Sequence, residues 1–319
     1  MQNVTPSAKV LTKKQMLKRK EFRLMKQNYM LYLFVLPLLI YVIIFNYIPL
    51  YGIQLAFKTF DSSLGIMGSK WEGLKWFDLF FSSPRFVQIM SNTLSISIYS
   101  LIAGFPVPII LALMLNCLRV EKFKRFCQTA TYLPHFISTV VITGMLSAFF
   151  SPRSGFITTM LEPLFDGKRM YFMGQPEFFD HIYVWSGIWQ GAGWGSIIYI
   201  ASLAGVSLEL HEAAMIDGAT RLRRIWHIDI PAIVPTMVIL LILNCGSLMS
   251  VGFEKIFLMQ NDLNQSASEI VATYTYKLGL QNFQYSFSTA VGLFNNLINV
   301  VLLVIVNGTA KKISGSSLW

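Results

Sequence analysis

Charge is scarce in this chain. Asp, Glu, Lys and Arg make up 13% of its 319 residues, about half the ~25% usual in soluble domains. With apolar residues at 54% and a mean hydropathy of +0.53, too few polar groups remain to coat a water-exposed globule. Cysteine is almost missing: Cys117, Cys127 and Cys245 form no CxxC pair and no disulfide framework. A phosphate loop is missing too. Gly167-Lys168, the nearest approach to G-x-x-x-x-G-K-[ST], is followed by Arg169 and has no glycine five residues before it. The histidines are His135, His181, His211 and His227. None sits beside a span serine that it would activate. His211-Glu212-Ala213-Ala214-Met215 stops one residue short of the zinc motif H-E-x-x-H, because Met215 stands where the second imidazole belongs. An intramembrane hydrolase, the alternative outside transport, thus lacks both nucleophile and metal.

What the chain does have is six charge-free runs: 27–57, 86–118, 126–152, 181–208, 230–253 and 278–310. Each exceeds the ~20 apolar residues that carry a helix across a bilayer. The runs are apolar throughout rather than alternating, which selects helices over barrel strands. The expected fold is therefore all-α, a polytopic membrane protein with six transmembrane helices near 30–52, 90–117, 128–150, 183–205, 232–256 and 287–307. No charged residue is expected to be buried within a span, which argues against ion coupling and voltage sensing.

Basic residues orient the spans. With the N-terminus inside, segments 1–29, 119–127, 206–229 and 308–319 hold 17 basic residues against six acidic, and the outside segments hold nine against ten. Both termini are then cytoplasmic, and the net charge of +10 needs no nucleic acid to explain it. The arm 1–29, with Lys13, Lys14, Lys18, Arg19, Lys20, Arg23 and Lys26, has a single aromatic, Phe22, within its basic run and so no aromatic interleaving that would stack successive bases; it suits anionic lipid instead. The first apolar run is too long for a cleaved signal peptide.

The longest cytoplasmic loop between spans, 206–231, reads as two short helices. Ser207 caps the first, Glu209 sits in its first turn and Gly218 ends it after about ten residues. Thr220 caps the second, which is expected to end where Ile230-Pro231 lead into span five. Ala213 and Ala214 are small enough for another protein to approach closely. Glu212-Ala213-Ala214, three residues, Gly218, nine residues and Ile228-Asp229-Ile230-Pro231 match E-A-A-x3-G-x9-I-x-(L/I)-P. In this the chain resembles the permease subunits of binding-protein-dependent type I ABC importers, whose EAA signature this is. Leu36-Pro37, Asn46-Tyr47-Ile48-Pro49-Leu50-Tyr51-Gly52 and Tyr132-Leu133-Pro134-His135-Phe136-Ile137-Ser138 are similar to the carbohydrate branch, in particular to permeases for polysaccharide-derived oligosaccharides.

The resemblance implies a first helix with its external loop (30–85), a five-helix permease core (86–310) and a cytoplasmic tail (311–319). It implies that the EAA loop forms a coupling helix seated in a cleft of a cytoplasmic ATPase. Glu212 would be its polar anchor, Ala213 and Ala214 its contact face, and Asp217 with Gly218 its tight turn. Arg221, with Arg223 and Arg224, would pair with acidic groups on the partner or form a solvated basic face. The family implies a non-catalytic subunit without cofactor or metal, multi-pass in the bacterial cytoplasmic membrane. Its implied partners are a second, related but non-identical permease, an ABC ATPase dimer, an extracytoplasmic solute-binding protein and an oligosaccharide. A permease for another solute is the alternative within transport.

Candidate path residues are Trp185, Trp189, Gln190 and Trp194 in span four and Asn244 and Ser247 in span five, with Asn295, Asn296 and Asn299 in span six. Indoles offer flat faces to pyranose rings and amides offer hydrogen bonds; the same residues also serve helix packing and interfacial belts. Gln190, Trp194 and Asn244 sit, relative to the EAA loop, where maltose-type permeases place ligand contacts. Two external segments are expected to meet the binding protein. One is the aromatic loop 54–85 (Trp71, Trp76, Phe77, Phe80, Phe81). The other is 259–286, where Ser266-x-x-Glu269 reads as a capping box opening a helix with Ile270, Tyr274 and Lys277. Whether the saccharide is acidic or neutral stays open.

Overall fold

The computed structural model describes residues 23–314 and 317–318, so most of the basic arm lies outside the described residues. Contacts divide the chain into two compact units, one ending at Gln54 and the other beginning at Leu55. In the first, α1 (Tyr29–Val42) runs on through a wide turn, Ile43–Tyr47, into Ile48–Leu50. Pro37 lies inside α1, a position that membrane helices tolerate.

The second unit opens with a hairpin, β1 (Lys58–Thr59) against β2 (Lys70–Trp71), followed by α2 (Lys75–Phe81). Trp76 Nε1 donates to Lys58 O at 2.9 Å. Phe80 is buried edge-on against Phe86, Phe287 and Phe294. Phe80 and, packed against its cluster, Trp76 therefore belong to the core, whereas Trp71 and Phe81 remain exposed.

The remaining α-helices of six residues or more are α3 (Phe86–Asn116), α4 (Glu121–Tyr132), α5 (Thr139–Phe149), α6 (Phe156–Leu161), α7 (Pro176–Leu203), α8 (Leu208–Ile216), α9 (Arg221–Gly246), α10 (Phe253–Met259), α11 (Val271–Tyr276) and α12 (Tyr285–Ser314). Among the described residues four helices are long and apolar enough to cross a membrane: the stretch from Tyr29, α3, α9 and α12. Two bent pairs bring the count up to six where each is taken as one span: Glu121–Phe136 with α5, bent by 98°, and α7 with α8, bent by 77°. α7 packs along α3, and α9 along α12.

Span three differs from the straight helix expected over 128–150. Pro134 sits in a tight turn, Leu133–Phe136, and Ser138 restarts the chain by accepting from Val141 N at 3.4 Å. The 11 residues of α5 rise only about 16 Å, half the ~30 Å of a bilayer core, so α5 cannot cross without the segment before it.

Span five differs at both ends from 232–256. The second loop helix does not stop at Pro231: a wide turn, Ile225–Asp229, closed by Ile230 N–H onto Ile225 O, carries the helix past the proline. At the other end α9 finishes at Gly246, and Ser247–Gly252 is irregular. Irregular backbone in such a protein must be satisfied by neighbouring protein groups, and α12 supplies them. Asn299 Oδ1 accepts from Met249 N at 2.9 Å, Asn299 Nδ2 donates to Ser250 Oγ at 2.9 Å, and Asn295 Nδ2 donates to Met249 O at 3.2 Å. Asn296 is exposed. Two of the three span-six asparagines thus brace the break. Asn299→Leu strands the Met249 N–H and is expected to cost about 1–3 kcal/mol, seen as a lower thermal unfolding midpoint in detergent. An unchanged midpoint would mean that the break is held by other groups.

The expected capping box at Ser266 does not form. Ile270 N–H donates to Thr273 Oγ1 at 3.1 Å to open α11. Glu269, 4% exposed, instead lies between Lys277 Nζ at 3.1 Å and Arg85 at 3.5 Å. A buried carboxylate is better satisfied by two cations than by a helix end.

Candidate coupling loop and polar cavity

The loop helix α8 is nine residues long and is closed at both ends. Ser207 Oγ accepts from Glu209 N at 3.2 Å. At the far end Gly218 has φ +76°. Its N–H donates to Met215 O at 3.1 Å, and Ala219 N–H donates to Ala214 O at 2.8 Å. This paired closure is the Schellman motif, which places glycine in the left-handed region. Thr220 Oγ1 then accepts from Arg223 N at 3.4 Å and starts α9. His211 Nε2 lies 3.3 Å from Asp229 Oδ1, and Asp229 is buried, so α8 is also tied to the root of α9. That pairing of two motif residues was not foreseen in the sequence, where His211 figured only as half a zinc motif.

Glu212, Ala213, Asp217, Gly218 and Arg221 are exposed, and Ala214 is half-buried. Leu208, Leu210 and Met215 are exposed beside them, and Ile216 is 87% exposed. An uncovered apolar patch rimmed by charge on a short rigid helix has the character of a protein-binding surface. Arg221 joins Arg119 and Arg224 in a cleft of about 420 Å³ that also holds the His211–Asp229 pair.

The candidate path residues separate into groups. Two clefts of about 450 Å³ each share Ser100, Gly104, Pro108, Tyr183 and Gly252; one contains Asn244 and Ser247, the other Gln190. These three therefore converge on one continuous space between α3, α7 and the end of α9. Gln190 Nε2 donates to Ile137 O at 3.0 Å, at the break in span three, and Ser247 Oγ donates to Leu243 O at 3.2 Å. Trp185 and Trp189 open elsewhere, into an apolar groove of about 420 Å³ with Ile142, Met145 and Phe149. Trp194 stacks on His135 at 4.6 Å and 4°. The division follows from helix geometry: Trp185 and Trp189 are one turn apart on one stripe, and Gln190 lies about 100° around from Trp189.

The cavity also holds a residue that no sequence motif marks. Lys255 lies within the range expected for span five, yet it is 8% exposed and lines the Gln190 cleft. This contradicts the expectation of no buried charge there. In the sequence it follows Glu254 at the edge of a charge-free run and looks like an interfacial lysine; only the break after Gly246 folds it inward.

No protein-family profile matches the chain. The polygalacturonan/rhamnogalacturonan transport system permease protein YteP of Bacillus subtilis (strain 168) is 41% identical over 310 residues, covering 97% of this chain and 96% of its own length. A crystal structure of a bacterial ABC transporter involved in the import of the acidic polysaccharide alginate contains a chain 38% identical, with a TM-score of 0.85, covering 92% of this chain and 99% of that one. The same transporter type in complex with alginate pentasaccharide-bound periplasmic protein matches with a TM-score of 0.84, 38% identity and coverage of 93% and 99%. With the EAA loop formed at the turn between α7 and α9, and with this likeness over nearly the whole length, the chain belongs to the carbohydrate branch of the ABC importer permeases, multi-pass proteins of the cytoplasmic membrane.

Proposed function

We propose that this chain is one of two permease subunits of an ATP-driven importer for polysaccharide-derived oligosaccharides, handed over by an extracytoplasmic solute-binding protein. The observation that carries the reading is α8: a short helix capped at both ends, pinned by His211 and Asp229, and presenting Glu212, Ala213 and Ile216 to a partner. Such a knob transmits force because it cannot flex independently of α9. Closure of a docked ATPase dimer would move α8 as a rigid body, and α9 and α7 with it, which is the kind of packed-element switch that alternates access. ATP hydrolysis falls to the partner, which carries the phosphate loop. The binding protein supplies the sugar from outside, as the alginate complex illustrates for its own system.

The test is purification from the native membrane in mild detergent, followed by mass spectrometry of what stays bound. A stoichiometric ATPase with a G-x-x-x-x-G-K-[ST] loop and a second EAA-bearing permease are expected. A chain that emerges alone, even after crosslinking from Ala214→Cys, would overturn the proposal.

A further inference from the structure

Lys255 stands on α10, just beyond the break that ends span five. Its Nζ donates to Tyr183 O at 3.1 Å and lies 5.0 Å from the centre of the Tyr183 ring. Among the described residues no carboxylate stands within 4.0 Å of it, whereas Arg85, Arg169 and Lys277 each have one. An ammonium has three donors; the carbonyl takes one and the ring covers one side. A buried cation without a counter-charge costs several kcal/mol, and a methionine of similar length would fill the same space without that cost. The charge is therefore unexplained by packing.

The space in front of the ammonium is built to receive something. α7 contributes Gly187 and Gly191 to the wall, so backbone rather than side chain faces the cleft there. A Cβ at Gly187 would meet only Lys255 Nζ, at 3.5 Å, and one at Gly191 would meet nothing within 4 Å. Ser100 and Gln190 line the same cleft, and the shared wall continues to Asn244 and Ser247. One cation beside hydroxyl and amide groups, with an open approach, matches a polyhydroxylated anion.

We infer that Lys255 reads a sugar carboxylate as it passes this cavity, and that the oligosaccharide carried is acidic, a uronate-bearing chain. The inference rests on the importer reading above and assigns the substrate class of the same path. Charge-assisted contact of ammonium with carboxylate supplies selection, while Gln190, Asn244 and Ser247 offer neutral contacts to the ring hydroxyls.

The experiment uses the intact transporter with its own partner permease, ATPase and binding protein in proteoliposomes. The probes are the trimer of galacturonate, the trimer of mannuronate and the carboxyl-reduced galacturonate trimer. The wild type is expected to take up an acidic trimer in preference to the reduced one. Lys255→Met is expected to lower that acidic uptake about tenfold, one charge-assisted contact's worth, with Lys255→Arg staying within about threefold of wild type. Gly187→Asp, which places a competing carboxylate beside an intact Lys255, is expected to lose acidic uptake as Lys255→Met does. Full acidic uptake in Lys255→Met or in Gly187→Asp would overturn the assignment, as would an arginine variant that loses as much as the methionine one. A wild type that retains its ATPase but carries only the reduced trimer, or none of the three, would remove the acidic class and leave the importer standing. Loss of the ATPase itself would instead count against the importer.

Discussion

Glu212→Lys and Gly218→Val are each expected to cut uptake at least about tenfold while the chain still accumulates in the membrane. Glu212 is exposed in the middle of α8 and makes no ion pair among the described residues, so the folded chain has little to lose by its replacement. The role proposed for it therefore lies with a partner. Reversing a charge in a docked interface costs several kcal/mol, and each 1.4 kcal/mol is tenfold in an equilibrium. Gly218 acts differently. Nothing lies within 4 Å of a Cβ added there, so no neighbour is struck; the cost is the left-handed backbone, about 1–2 kcal/mol for an ordinary residue and worse for a β-branched one. Relaxing that strain opens the closure onto Met215 and Ala214 and turns α8 relative to α9. Gly218→Asn, which tolerates this conformation, should stay close to wild type. Three readouts separate coupling from folding: the amount of chain in the membrane, ATPase retained on purification, and uptake. Wild-type uptake in both the lysine and the valine variants would sink the coupling assignment.

The helix–turn–helix form of the 206–231 loop was legible because all its determinants are local. Ser207, Gly218 and Thr220 each act on backbone groups within five residues, and the apolar runs on either side place the loop between spans. The span count was legible for the same reason, since a run of uncharged residues is a one-dimensional property. What the runs do not contain is where a helix breaks. Pro37 stays inside a helix while Pro134 ends one; the difference lies in what the neighbours offer, here a Gln190 amide that donates to Ile137 O.

The break after Gly246 is still less visible. The residues that follow, Ser247 to Val251, are as apolar as many helical stretches, and the groups that stabilise their irregular path, Asn295 and Asn299, lie about fifty residues further along the chain. Lys255 depends on that break for its burial, so the most informative charge in the cavity was hidden by a long-range contact. The tryptophans of span four show the complementary limit. Composition marked them as sugar platforms, but the 100° step of a helix sets Trp185 and Trp189 in a groove apart from Gln190.

Gly193→Ala is expected to lower the thermal midpoint of the purified chain, against the direction that helix propensity alone would give. In an exposed helix interior, alanine is favoured over glycine by about 1 kcal/mol. Gly193, however, is buried where α7 meets α4, and an added Cβ would stand 2.0 Å from Thr131 O and 2.4 Å from Thr131 C. Both are backbone atoms that no rotamer change can move. The turn of α4 would have to retreat, pulling on Pro134, on the His135–Trp194 stack and on the Gln190 bond to Ile137. Overpacking of this kind costs about 1–3 kcal/mol, and contact with fixed backbone belongs at the upper end, so the steric term outweighs the propensity gain. Gly191→Ala is the internal control: it sits two residues away on the same helix, with nothing within 4 Å of its added Cβ, and should be neutral or stabilising by up to about 1 kcal/mol. If the two alanine variants unfold at the same temperature, α4 and α7 do not approach as closely as described, and the small-residue contact that positions the span-three break must be abandoned.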